Sequence, residues 1–137
     1  MSNVRPELSK RNPYWLEKHR RYELMHFCMQ YPIWKKAYKS IDGLMRNERY
    51  LQVEKDSGHG DPTAKCVEAK QFYEERMNMV EDAAKKTDPN LWTYILKGVT
   101  ENLSYDKMSA SETLPCSRDT YYELYRKFFW ILNKIRN

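Results

Sequence analysis

The chain ends in LPCSRDTYYELYRKFFWILNKIRN, residues 114–137. Five bases, two acids and six aromatic side chains share this run. Pro115 closes the turn SETLP, and a helix is expected to start near Cys116 or Ser117, where the serine hydroxyl can accept an N–H from the first turn. Tyr121, Leu124, Phe128, Ile131, Leu132 and Ile135 recur at helical spacing and are expected to pack inward. Ser117, Arg118, Thr120, Tyr122, Glu123, Arg126 and Lys127 fall at other positions. Such a helix either closes a bundle with a wetted basic face or lies against a polyanion.

The residues just upstream bear on that choice. Leu91, Trp92, Ile95, Leu96 and Val99 make a stripe on a helix expected from Pro89, ending near Gly98. Ser104 is placed to cap a short helix running to about residue 110, with Tyr105 and Met108 facing inward. Helix, short capped helix, tight turn and basic helix is the order of a helix-turn-helix unit, whose last helix enters the major groove. In that arrangement Arg118 offers a bidentate donor to guanine. Ser117 and Thr120 offer hydroxyls to phosphate or a base edge, and the helix N-terminus favours negative charge.

Working further back, Asn12-Pro13, Asp61-Pro62 and Asp88-Pro89 each read as a helix start, and Pro32 opens another helix after a break. The first helix is expected over about residues 13–30, with Leu24, Phe27, Cys28 and Tyr31 as its core stripe. The second, over about 32–46, places Ile33, Trp34, Ala37, Tyr38, Ile41, Leu44 and Met45 on one face. Residues 47–61 read as a flexible connection, with a short extended piece at RYLQV. A long helix follows over about 62–87. Its Cys66, Ala69, Tyr73, Met77, Val80 and Ala84 approach a heptad seam, and Phe72, Met79 and Ala83 form a second stripe. The expected fold is all-α. A helical hairpin (1–46), the connection (47–61) and a long central helix (62–87) brace a C-terminal helix-turn-helix (88–137).

Composition narrows the function. The 137 residues suit one domain, and 41% apolar with 14% aromatic content implies a core of few, large side chains. The net charge of +5 is unevenly spread. Residues 5–39 hold nine Lys/Arg against three Asp/Glu, residues 40–114 ten against fourteen, and residues 115–137 five against two. Basic ends around an acidic middle suit local contact with a polyanion, although lysine and arginine on wet helix faces are also ordinary solvation. Three unpaired-looking cysteines, Cys28, Cys66 and Cys116, fit a reducing, cytoplasmic setting. No apolar run is long enough to span a membrane, and MSNVRPELSKRN lacks the apolar core of a secretory signal. His19 and His26 lack further ligands at metal-site spacing and His59 sits between glycines, so neither metal nor cofactor is expected. Glu74, Glu75, Glu81 and Asp82 are balanced by Lys70, Arg76, Lys85 and Lys86, which reads as a solvated face. No nucleophile or phosphate-loop signature occurs, and no enzymatic activity is expected.

SRDTYYELYRKFFWIL resembles the recognition helix of the region-4 helix-turn-helix in sigma-70-type factors. More widely, the chain is similar to the small phage and prophage transcriptional regulators of the ArpU/RinA type. The likeness rests on Tyr31, Pro32, Trp34 and Lys35, then on Asp61, Pro62 and Thr63 opening the long helix, then on the sigma-like end. It implies ILKGVTENLSYDKM as supporting and scanning helices, and binding of double-stranded DNA in control of phage late genes, without enzymatic activity. It turns Ser117, Arg118, Thr120, Tyr122 and Arg126 toward the groove, sets Lys127 on phosphate, and brings Tyr105 and Lys107 to the backbone. The sigma-like look adds RNA polymerase as a partner, and the seam of the long helix offers a surface for a homodimer. Phe128 and Phe129 stand where sigma-type helices use small residues, and Tyr121-Tyr122 is bulkier than usual, so base preference does not carry over. The competing reading is an interaction protein. Its basic, aromatic segment RNPYWLEKHRRYELMHFCMQYPIWKK would dock on a phage or host nucleic-acid enzyme to block or recruit it.

Overall fold

In the computed structural model, residues 9–46 and 62–137 are described, with side chains from residue 64 in the second stretch. Among them are six helices: α1 (Lys18–Met29), α2 (Tyr31–Met45), α3 (Pro62–Thr87), α4 (Trp92–Thr100), α5 (Tyr105–Ser111) and α6 (Arg118–Arg136). The fold is all-α, and no described residue lies in a strand. The connection at 47–61, the extended piece at RYLQV and the cap expected from Asp61 lie outside the described residues.

Two of the three Asx-Pro starts begin turns rather than helices. Asn12 Oδ1 accepts the N–H of Tyr14 at 2.8 Å, and Trp15 N–H reaches Asn12 O at 3.0 Å. That turn closes, and α1 begins only at Lys18, where the Glu17 carboxylate accepts the N–H groups of His19 and Arg20. Those two bonds hold the Glu17 carboxyl below its ordinary range. Asp88 likewise accepts from Asn90 and Leu91, so α4 starts at Trp92 and not at Pro89. In both places the short side chain satisfies N–H groups two or three residues on, which is turn chemistry as readily as cap chemistry.

The described residues fall into two compact units, with boundaries between Gln30 and Tyr31 and between Asn78 and Met79. The boundaries expected from sequence lie after residues 46, 61 and 87. In the unit of residues 31–78, Lys70 Nζ lies 2.7 Å from Asp42 Oδ1 and 5.1 Å from the Tyr38 ring centre, linking α2 to α3. The hydrogen bond lowers the Asp42 carboxyl and raises the Lys70 ammonium. Trp34 and Met77 are buried here, but Ile33 and Leu44, expected on the inner face of α2, are 65% and 44% exposed. On α3, Phe72 of the expected second stripe is 46% exposed.

The other unit contains α1, the end of α3 from Met79, and α4, α5 and α6. Its core joins Leu24, Met25, Phe27 and Cys28 of α1 with Val80, Ala83 and Ala84 of α3, Ile95 and Val99 of α4, and Met108 of α5. The Cys28 thiol is pushed far up by burial and behaves as a small apolar group. From α6 the buried side chains are Tyr121, Tyr125, Phe128, Phe129 and Leu132. This corrects the sequence stripe. Leu124, Ile131 and Ile135 are only half-buried, and Tyr125 and Phe129 take the inward positions. The helix is rotated toward its rings because flat aromatic faces bury more area than branched aliphatic chains and stack on one another. Tyr121 with Tyr125, Tyr125 with Phe129, and Phe128 with Phe129 lie at 5.8, 5.3 and 5.0 Å between ring centres.

Candidate nucleic-acid interface

Helices α4, α5 and α6 occur in the expected order, and side-chain locks hold them together. Helix α4 ends in a Schellman arrangement, in which Leu103 N–H reaches Gly98 O at 2.9 Å. Asn102 supplies the left-handed position at φ 54°. Asparagine tolerates this conformation better than most residues other than glycine. Ser104 then caps α5, its hydroxyl accepting Lys107 N–H at 3.3 Å. Ser117 caps α6, accepting Thr120 N–H at 3.2 Å. Both caps are those expected from the sequence.

The first turn of α6 is exposed. Ser117, Arg118, Asp119 and Thr120 all face solvent, while Tyr121, the next residue, is fully buried. Tyr121 donates from its hydroxyl to Leu103 O at 2.7 Å, tying α6 to the α4–α5 turn. On the helical wheel, Asp119, Glu123, Arg126, Lys127, Trp130 and Lys134 lie opposite the buried stripe.

The expected site residues divide into two groups. Ser117, Arg118, Thr120 and Lys107 are exposed. Arg118 is nonetheless engaged: its guanidinium lies 2.7 Å from Asp106 Oδ1 and 5.4 Å from the Tyr105 ring centre. Ser117 Oγ donates to Thr120 Oγ1 at 3.0 Å, so the two hydroxyls form a single polar group. Tyr105 and Tyr122 serve the fold. Tyr122 Oη accepts the Tyr105 N–H at 3.0 Å, and Tyr105 Oη donates to Cys116 O at 3.2 Å. These bonds brace α5 against α6, so Tyr122 is not free to turn into a groove. Arg126 and Lys127 are half-buried, and Arg126 Nε is buried without a hydrogen-bond partner.

Sequence reasoning missed Asp106, which sits 12 residues from Arg118 and meets it only through the α5–α6 turn. It also missed Trp130 and Lys134, which are one turn apart on one face, with the ammonium 3.4 Å from the indole centre. Their i,i+4 spacing is readable. What spacing does not show is that Tyr14 of the N-terminal turn packs edge-on against Trp130 at 5.5 Å.

Among the described residues no group of three or more His, Cys, Asp or Glu is placed to hold a metal ion. No described helix is long and apolar enough to cross a membrane. No family model, curated protein or solved structure matches the chain.

Proposed function

We propose that the chain binds double-stranded DNA with sequence preference through the first two turns of α6, and so regulates transcription. The observation that carries this reading is the polarity of α6: Tyr121, Tyr125 and Phe128 anchor it in the core, while Ser117, Arg118 and Thr120 project from its N-terminus into solvent. Asp119 and Glu123 lie on the outward face and repel phosphate, but a carboxylate accepts from the cytosine amino group, so they favour a groove floor over a backbone. The Arg118–Asp106 pair is exposed on both sides, at 57% and 71%, and its exchange for a base edge costs little. The sigma-like and ArpU/RinA-like sequence pattern supports control of phage or prophage late genes. It implies RNA polymerase as a protein partner. The same reading allows a second copy of the chain along α3, where Val67 and Phe72 are each 46% exposed.

The test starts from genomic DNA fragments retained by the purified chain and sequenced. On the enriched duplex, Arg118→Ala is expected to cost about 1–2 kcal/mol and relax preference at one base pair, the lower part of the range because Asp106 must be released first. Asp106→Asn is expected to tighten binding roughly 2- to 5-fold by freeing the guanidinium. Unchanged affinity and preference in Arg118→Ala would remove α6 from the groove.

A further inference from the structure

A helix that enters the major groove end-on, by its first turn, leaves its longer half outside the groove. From Arg118, Lys127 and Lys134 stand roughly 14 and 24 Å along the axis, whereas the major groove is about 12 Å wide. Entering end-on, a helix whose start reads base edges carries its second half over the flanking sugar-phosphate strand.

The N-terminal turn and the start of α1 meet that half of the helix. Tyr14 packs on Trp130, and Arg20 Nε donates to Asn133 Oδ1 at 2.6 Å. Beside them is an open cleft of about 390 Å³ lined by Lys10, Trp15, Leu16, Glu17, Lys18 and Arg21. Trp15 is 37% exposed, with the Lys10 ammonium 5.9 Å from its ring centre. Glu17 is the one carboxylate lining the cleft, and it is occupied by the two N–H groups it caps. Arg20, at the junction, holds Glu23, and Arg46, Lys70, Lys97 and Arg118 each hold a carboxylate. Among the described residues Lys10, Lys18, Lys127 and Lys134 form no ion pair, as is also true of Arg11, Lys35, Lys36, Lys39, Lys65, Lys85, Lys86 and Lys107, so it is their place beside the N-terminal turn and α6 that sets them apart. Lys10 and Lys18 line the cleft, and Lys134 lies on the Trp130 ring against which Tyr14 packs, so three ammonium groups border this junction, with Glu17 as the carboxylate beside them. Clustered ammonium groups attract a phosphate strand because each neutralised phosphate releases condensed counterions.

We infer that the N-terminal turn and the second half of α6 form one track for the phosphate backbone of duplex DNA, on the side of the binding site toward which the α6 C-terminus points. The inference rests on the groove reading for its direction along the duplex. The cations themselves stand independently of that reading. Trp15 closes the cleft against the sugar edge, and Lys10, Lys18 and Lys134 supply charge without reading sequence.

The test compares the wild-type chain with the triple variant Lys10→Gln/Lys18→Gln/Lys134→Gln, using a labelled random-sequence duplex of about 40 base pairs over a range of salt concentrations. The triple variant is expected to bind every duplex more weakly, by roughly 100-fold at physiological salt, with the slope of log K against log salt shallower by about 2–3. The matching triple lysine-to-arginine variant should bind as wild type. Equal melting temperatures for all three chains exclude a folding defect as the cause. If the glutamine variant keeps the wild-type slope, the track is overturned. It is equally overturned if single-stranded DNA or a polyglutamate peptide competes as well as the duplex. The two readings fail separately. An altered slope with a neutral Arg118→Ala leaves the track and removes the groove contact. Relaxed base preference with an unchanged slope does the reverse.

Discussion

Replacing Phe128 by alanine is expected to destabilise the chain by about 3–5 kcal/mol, enough to consume much of the stability of a domain this small. The ring is fully buried and sits 5.0 Å from Phe129, on a helix whose inner side is built from such rings. Truncation removes the burial of the ring and leaves a cavity that its close-packed neighbours cannot fill by small shifts, since Phe129, edge-on to Phe128, is itself held against Tyr125. The informative control is Leu124→Ala. Leu124 is the natural core position from spacing, yet it is half-buried, and its truncation should cost about 1 kcal/mol. Urea denaturation of the two variants ranks the faces of α6. Comparable losses at Phe128 and Leu124 would mean that the helix is rotated by roughly a sixth of a turn from the arrangement described, and the exposed set at its N-terminus would change with it.

That rotation marks what can be read from the residues and what cannot. The presence and order of the helices, the caps at Ser104 and Ser117, and the full length of α3 follow from apolar spacing, serine placement and proline punctuation, all of which act within a few residues. The facing of α6 does not, because Leu124, Tyr125, Phe128 and Phe129 form two overlapping stripes and only packing against α1 and α4 chooses between them. The starts of α1 and α4 depart from the sequence reading for a local reason: an Asx-Pro pair satisfies a turn as well as a helix. The exposure of Ile33, Leu44 and Phe72 is also not visible, since periodicity shows a face but not whether anything covers it. At the candidate site the exposed Arg118 is readable from its place after the cap. Its partner Asp106, and the use of Tyr105 and Tyr122 as braces, depend on contacts between residues separated by a turn or more in sequence.

Gly98→Ala is expected to cost about 3 kcal/mol, against the general preference of helices for alanine over glycine, which alone would favour the change by about 1 kcal/mol. A Cβ at position 98 would overlap the Tyr121 hydroxyl and stand 3.2 Å from the Tyr121 Cζ. The hydroxyl cannot swing aside. Its ring is fully buried between Tyr105, Tyr122 and Tyr125, and it donates to Leu103 O. Tyr121→Phe removes the obstructing oxygen but leaves the Leu103 carbonyl short of a donor, at a cost of about 1–2 kcal/mol. The two changes together should therefore cost far less than their sum, with a favourable coupling of about 2 kcal/mol. Strict additivity would mean that the hydroxyl is not what glycine makes room for. The coupling also has a functional reading. Tyr121 follows directly on the exposed turn of Ser117, Arg118 and Thr120, so a displaced Tyr121 tilts the α6 N-terminus. Gly98→Ala should then weaken binding to a preferred duplex even at temperatures where the chain is fully folded, and Tyr121→Phe added to it should restore part of that loss. A Gly98→Ala chain that melts early yet binds normally while folded would confine the close approach of α4 and α6 to stability.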